Sequence, residues 1–347
     1  VNGVEFRAER KAARLHDPRK GFELATVESE VRRDPLTGES ARVCHFALTA
    51  APPADLDALV AASRAHCPFC PDKVEAITPR FPDALVPGGR LRRGDALVFP
   101  NLFPYDDVSA IAVLCAEHFH PMDAIPERIV VDGLTAARDF IRLAAPGFEG
   151  RGASGIVTWN YMPAAGATQV HPHMQVIVTT TPGNGPERRI VAEREWFARH
   201  RRPYAVMLAE AERGGPRWIG EAGGIAWLAP FAPAGLLGDA QAVFGQAATV
   251  ADLEDADIAA FAAGLVRVLR GFAARGLWSF NLCLLPAPFG ADGAHRLTAR
   301  LLPRLYLNPA LHVSDVAYLH LLLEERFAMA WPEDVAAALR AAWAAAA

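Results

Sequence analysis

Gly166-Ala-Thr-Gln-Val-His171-Pro-His173-Met-Gln175, followed at once by Val176-Ile-Val-Thr179, decides how this chain folds and where its chemistry lies. An apolar, β-branched run after a short polar lead reads as a strand entering a core. Side chains alternate sides along a strand, so His171, His173 and Gln175 point to one face. Three polar groups converging beside a buried strand are a costly way to build a core and a sensible way to build a site. The small residues Gly166, Ala167 and Thr168 just upstream let backbone N–H groups approach a ligand closely.

The rest of the sequence sets bounds on that site. With 347 residues, 52% apolar and 21% charged, the chain is an ordinary globular protein able to bury a substantial core. A net charge of −4 gives no general attraction to nucleic acid or an anionic membrane. No apolar stretch reaches the roughly 20 residues that span a bilayer. The charged first twenty residues lack a signal-peptide apolar region. Five cysteines, an odd number, fit a reducing cytoplasm better than a disulfide framework.

Strands are expected at Ala96–Phe99, Ser109–Leu114, Gly155–Trp159 and Gln175–Thr179, and again at Leu277–Leu285 and Leu297–Leu305. Helices are expected over Gly133–Leu143, Leu253–Arg275 and from Pro332 onward, the last with Glu333 and Asp334 in its first turn. Residues 1–50 and 190–247 carry no clear period. A faint duplication pairs Trp159-Asn160 and His171-x-His173-x-Gln175 with Phe280-Asn281 and Arg296-x-Thr298-x-Arg300, which lacks the imidazoles.

Cys67-Pro-Phe-Cys70 is the second informative feature. Two thiolates at this spacing can share a zinc ion that needs two more nitrogen or sulfur ligands, from His118 or His120 and from His171. A redox pair or an inert pair are the competing readings, and no thioredoxin-like βαβ pattern surrounds the loop. A neutral imidazole next to an amide suits attack at phosphorus. Its Nδ1–H held by a carbonyl leaves Nε2 free, and the Gln175 amide can donate to a phosphoryl oxygen.

With these pieces in order, the chain resembles the galactose-1-phosphate uridylyltransferase family of the histidine-triad superfamily. The resemblance rests on Asp34-Pro-Leu-Thr-Gly-Glu39, His66-Cys-Pro-Phe-Cys-Pro71, Val98-Phe-Pro-Asn101-Leu-Phe103-Pro, Glu117-His118, Asn160, the 166–175 segment and Leu302-Pro-Arg-Leu305. It implies His173 as a nucleophile forming a nucleotidyl-histidine and Gln175 as its phosphoryl contact. It implies a structural zinc on Cys67, Cys70, His118 and His171. It also implies that Asn101 and Phe103 border the nucleoside, and that Asn160, Gly166 and Thr168 line the phosphates.

Several positions depart from the family pattern. Arg296 and Thr298 align with its second metal site, so no second metal is expected. Leu319 and Glu325 replace a glutamate and a glutamine near the hexose, Leu102 replaces an aspartate, and Cys44-His45-Phe46-Ala47 replaces a phosphate-gripping segment. Arg296 and Arg300 are candidates for replacement positive charge, with a plain solvent-facing role as the alternative.

The expected fold is α+β, two histidine-triad-like halves (1–185 with zinc and catalytic histidine, 186–347 degenerate), each an antiparallel sheet with packed helices. The expected function is ping-pong transfer of a nucleoside monophosphate from a nucleoside diphosphate compound to a phosphorylated acceptor, by a cytoplasmic homodimer. A dinucleoside polyphosphate or nucleotide-sugar phosphorylase, a histidine-triad hydrolase and a non-catalytic zinc-stabilised nucleotide-binding protein follow as alternatives.

Overall fold

A computed structural model of the chain describes residues 3–44 and 55–345. The departure at 45–47 lies outside the described residues. A long hairpin opens the chain, β1 (Arg7–Asp17) and β2 (Glu23–Arg33), followed by β3 (Ser40–Cys44). The main sheet takes ten strands. Its first five are β4 (Leu91–Arg93), β5 (Ala96–Pro100), β6 (Val108–Val113), β7 (Ser154–Tyr161) and β8 (His173–Thr179). The second five are β9 (Trp218–Ala222), β10 (Ile225–Leu228), β11 (Ala240–Phe244), β12 (Ser279–Leu285) and β13 (Thr298–Arg304). A small ribbon, β14 (Tyr306–Asn308) with β15 (Val313–Ser314), and β16 (Arg326–Ala328), parallel to β3, complete the strands.

The ten strands run in the order β4-β5-β6-β8-β7-β12-β13-β11-β10-β9, every neighbouring pair antiparallel. Each half therefore repeats one strand order, and the two expected sheets are fused edge to edge through β7 and β12. Asn160 and Asn281 stand directly opposite each other at that seam.

The register corrects the repeat as read from sequence. Thr158 lies opposite Gln175, and Ser279, two residues before Asn281 as Thr158 is before Asn160, lies opposite Arg304. The counterparts of His171, His173 and Gln175 are thus Arg300, Leu302 and Arg304. The sequence alignment was four residues out because the Arg-Leu-Thr-Ala-Arg stretch mimics the polar alternation.

Two helices cover one face, α3 (Glu127–Ala144) after β6 and α6 (Asp255–Ala273) after β11, packed side by side. In α3 the buried residues Ile129, Val130, Leu134, Ala137, Phe140 and Ile141 recur at three- and four-residue spacing. Arg138 ties the two helices by donating to the Leu253 carbonyl and the Asp255 carboxylate. The last helix, α8 (Pro332–Ala345), packs on α6.

The remaining helices are α1 (Leu56–Arg64), α2 (Val74–Ile77), α4 (Asn184–His200), α5 (Tyr204–Glu212) and α7 (Tyr318–Leu321). Of these, α5 lies on the opposite face of the second half, over Ala226, Leu228 and Val243. No helix of the described residues is long and apolar enough to cross a membrane.

Alternation along β8 places the site. Met174, Val176 and Val178 join the helix-covered core, which turns His173, Gln175 and Ile177 to the other face. A one-residue slip would expose three buried side chains worth about 1.5–3 kcal/mol each, roughly 5–9 kcal/mol together, so the register is strongly fixed.

Candidate active site

On the face away from α3 and α6, Val74, Leu97, Phe99, Ile111 and Val113 form a second small core with Phe69 packed against it. The Cys67–Cys70 loop lies along this core. Cys67, Cys70, His118 and His171 are all buried, and their ligand atoms lie within 4.8 Å of one another. His171 Nδ1 is 3.7 Å from Cys67 Sγ and 3.8 Å from Cys70 Sγ, and His118 Nδ1 is 3.4 Å from Cys70 Sγ. A tetrahedral zinc with ordinary bond lengths puts sulfur–nitrogen edges at about 3.5 Å, so donor set and spacing both fit.

The tautomers fit as well. His171 Nε2 donates to the Cys115 carbonyl at 2.8 Å, which turns Nδ1 toward the two sulfurs. The Ser63 hydroxyl donates to the Val60 carbonyl and so accepts from His118 Nε2 at 2.8 Å, with the same result. Burial pushes the Cys67 thiol up to about 11, with Cys70 adding to the effect, and pushes His171 down to about 4. A cation at the centre reverses the first shift and is compatible with the second. Of the two histidines open from the sequence, His118 joins the cluster. His120 stands apart with Cys115 and Glu117.

His173 is buried beside the cluster, its ring edge-on to Phe69 at 5.1 Å between centroids. Its Nδ1 donates to the His171 carbonyl at 2.7 Å, leaving Nε2 as the unprotonated nitrogen. Burial holds the imidazole below its ordinary pKa, against the pull of that hydrogen bond. Gln175 accepts from the Tyr105 hydroxyl at 3.1 Å through Oε1, which directs its amide N–H groups the other way.

A cavity of about 320 Å³ opens in front of these groups, lined in part by Phe69, Phe99, Asn101, Phe103, Thr168, His173 and Gln175. Apolar and aromatic side chains make up much of its wall, with the polar groups of Asn101, Thr168, His173 and Gln175 among them, as expected of a small-molecule pocket. Five of the residues singled out in the sequence, Asn101, Phe103, Thr168, His173 and Gln175, thus share one cavity. Gly166 lies on the turn just before Thr168, in the left-handed conformation at φ 81° that glycine alone adopts freely.

Asn160 is not on the cavity wall. Its Oδ1 accepts from Asn281 Nδ2 at 2.7 Å, and the same Asn281 nitrogen donates to the Ala165 carbonyl at 2.8 Å. Arg304, held by both oxygens of Asp315, donates to Asn281 Oδ1. A chain of polar contacts from the second half therefore brackets the turn that leads into the Gly166–Thr168 segment.

Arg296 and Arg300 do not reach the cavity. Arg296 donates to the carbonyls of Gly245, Gly293 and His295, and Arg300 pairs with the buried Asp239. Sequence reading missed Ser63, Phe69 and Tyr105. Phe69 was inside the quoted Cys67–Cys70 loop and Tyr105 two residues past Phe103, but Ser63 gave no signal at all.

A fused antiparallel sheet of two like halves, with a buried Cys2His2 cluster next to a pocket histidine, defines the architecture. Comparison with solved structures says which fold this is. An ADP-glucose phosphorylase from Arabidopsis thaliana, solved with ADP-glucose bound, superposes with a TM-score of 0.69 at 17% identity, over 90% of this chain and 98% of its own. A galt-like protein from Arabidopsis thaliana gives 0.68 at 17%, over 89% and 98%. A uridylyltransferase gives 0.67 at 20%, over 91% and 98%. The fold is that of galactose-1-phosphate uridylyltransferase and its structural relatives. An uncharacterized protein of Archaeoglobus fulgidus is 26% identical over 345 residues, 98% of this chain and 99% of its own. No protein-family model matches the chain.

Proposed function

We propose that the protein is a nucleotidyltransferase that works through a covalent nucleotidyl-histidine at His173. The observation that carries this reading is the His173 imidazole on the wall of a nucleotide-sized cavity, with Nδ1 tied to the His171 carbonyl and Nε2 left with its lone pair.

Nε2 attacks the α-phosphorus of a nucleoside diphosphate compound. A P–N bond forms, the P–O bond to the second phosphate breaks, and that phosphate leaves with its own negative charge. An oxygen of the acceptor's phosphate then attacks the same phosphorus, and the P–N bond breaks to restore the neutral imidazole. Gln175, turned by Tyr105, donates to the phosphoryl oxygen whose charge grows in each step. The aromatic wall of Phe69, Phe99 and Phe103 takes the nucleoside.

Cys67, Cys70, His118 and His171 would hold one zinc. With four protein ligands its contribution is structural, fixing the strand that carries His173. The chemistry lies in residues 1–185, with 186–347 as the degenerate half. A cytoplasmic location is part of the proposal, supported by an odd number of cysteines that suits a reducing compartment. We assign a homodimer, since residues 307–323 expose Leu311, Tyr318, Leu321, Leu322 and Leu323, an apolar surface that a second copy would cover.

A phosphorylase is the second reading, favoured by the bound ADP-glucose in one structural relative; it differs only in taking inorganic phosphate as the acceptor. Incubation with labelled UDP- and ADP-sugars should yield an acid-labile, base-stable adduct that is absent in His173→Ala. Discharge by inorganic phosphate alone selects the phosphorylase, and discharge by water alone the hydrolase. Tight nucleotide binding without an adduct from any donor would sink the transferase reading.

A further inference from the structure

The second half has a cavity of its own, about 240 Å³, on the same sheet face as the catalytic pocket but under α4 and α5. Its floor is a cross-strand row, Leu228 opposite Gln241 and Gln241 opposite Arg300. Arg300 is the counterpart of the metal-cluster residue His171, so a guanidinium stands where the first half has an imidazole of its Cys2His2 group.

The hydrogen-bonding capacity of the lining is unbalanced. The carboxylates are used up: Asp34 accepts from the Leu36 and Thr37 amides and from Arg326, and Glu39 pairs with Arg188 and Arg326. Asp239 accepts from the Ala234 amide and Arg300. Donors are left over. Arg189 Nη2 is buried with no acceptor, although its Nε is held by Glu193. Gln241 and Tyr204 line the same cavity and bring further polar groups, an amide and a hydroxyl, to its wall. Buried donors without acceptors are rare and costly in native proteins, and a roomy cavity beside them invites a ligand that supplies the acceptors. The three arginines at the cavity are each paired with a carboxylate, but the spare N–H groups of the Arg189 guanidinium are charge-assisted donors, which bond an anionic acceptor most strongly.

We propose that this cavity binds a small oxyanion, a phosphate or carboxylate group, on Arg189, Gln241 and Arg300, at a site separate from His173. The test is calorimetric titration of the full-length protein with inorganic phosphate and, in a second arm, with acetate. We expect a Kd below about 1 mM for at least one of them, unchanged in His173→Ala and weakened at least about tenfold in Gln241→Met. Gln241→Met keeps side-chain volume and leaves no charge unpaired, so its fold should hold; Arg189→Met is the second variant, with melting temperature recorded for both.

Tighter phosphate binding identifies a phosphate monoester group as the ligand's anion, and tighter acetate binding a carboxylate. No heat and no thermal stabilisation at about 10 mM of either ion overturns the proposal. Binding lost in His173→Ala, or untouched by both cavity variants, also overturns it by placing the ion elsewhere.

Discussion

Replacing Ser63 by alanine should weaken zinc binding although Ser63 touches no metal. Its hydroxyl receives the His118 Nε2 proton at 2.8 Å and is itself oriented by the Val60 carbonyl at 2.9 Å. His118 is 2% exposed, so water cannot readily take over. Without the hydroxyl, the ring must either leave a buried N–H unpaired, at about 1–3 kcal/mol, or move the proton to Nδ1 and give up the ligand position. The first route is the cheaper and corresponds to roughly 5- to 150-fold in affinity. Partners of this kind are typically worth about 10- to 100-fold in metal affinity, within the same range.

Competition against a chromophoric chelator, at a pH where both partners are characterised, should therefore show a Kd for zinc about 10- to 100-fold higher in Ser63→Ala. Ser63→Thr, which keeps the hydroxyl, should stay close to the parent. His120→Ala should leave zinc affinity unchanged, because His120 lies in the other cluster. A Ser63→Ala affinity within about threefold of the parent would refute the tautomer reasoning. A large loss in His120→Ala would show that the wrong histidine has been assigned.

Other perturbations probe the neighbouring links. Gln175→Ala should lower the rate of adduct formation by about 100- to 1000-fold if its amide stabilises the phosphoryl charge, whereas Tyr105→Phe, which only frees the amide to rotate, should cost about 2- to 10-fold; single-turnover kinetics separates the two. Glu193 is held below its ordinary carboxylate pKa: burial alone would raise it, and Arg189 and His295 outweigh burial. Its contribution to stability is therefore present above its unfolded value near 4.5 and is lost as pH falls below that value through the folded pKa. The melting temperature of Glu193→Gln relative to the parent should accordingly be lower at pH 7 and converge on it in acid, and a constant gap would count against the coupling. Gly264→Ala drives a Cβ into the indole ring of the fully buried Trp227; denaturant unfolding should show a loss of about 1–3 kcal/mol.

The strands and helices that border the core were legible because each turns one face to it. Met174, Val176 and Val178 alternate, and Phe261, Leu265, Val268 and Phe272 recur at helical spacing, so the period survives in the sequence. The β1–β2 hairpin was not legible for the same reason reversed: most of both faces is exposed, so charged and apolar residues mix on both faces and no clear period appears. Residues 190–247 were opaque because α4 buries only Glu193 and Trp196, while α5 is buried on most sides. The Gly223-Gly224 turn joining β9 and β10, both residues at positive φ, was a usable hairpin signal that went unread. Of the proposed site, the side chains of Asn101, Phe103, Thr168, His173 and Gln175 that share the cavity, and those of the Cys2His2 cluster, were readable. Ser63, Tyr105 and the carbonyls of Cys115 and His171 were not, since they act through geometry that brings distant or generic groups together.

His171 ties the two jobs of the histidine strand into one residue. Its ring sits among Cys67, Cys70 and His118, oriented by the Cys115 carbonyl, and its own carbonyl holds His173 Nδ1. Anchoring the ring fixes the position of the His171 Cα and so restrains the carbonyl that holds His173 Nδ1. Pro172 removes one torsional freedom between them and donates no competing hydrogen bond. In the second half the same strand positions hold Arg300, Leu302 and Arg304. There the anchor is a guanidinium on Asp239, the nucleophile's place is apolar, and Arg304 reaches across to steady Asn281 and, through it, Asn160. On the proposed function, one half keeps the reacting groups, and the other braces the turn in front of them. Removing zinc should for that reason reach catalysis through the tautomer and angle of His173, slowing adduct formation even when nucleotide binding in the aromatic end of the cavity is retained.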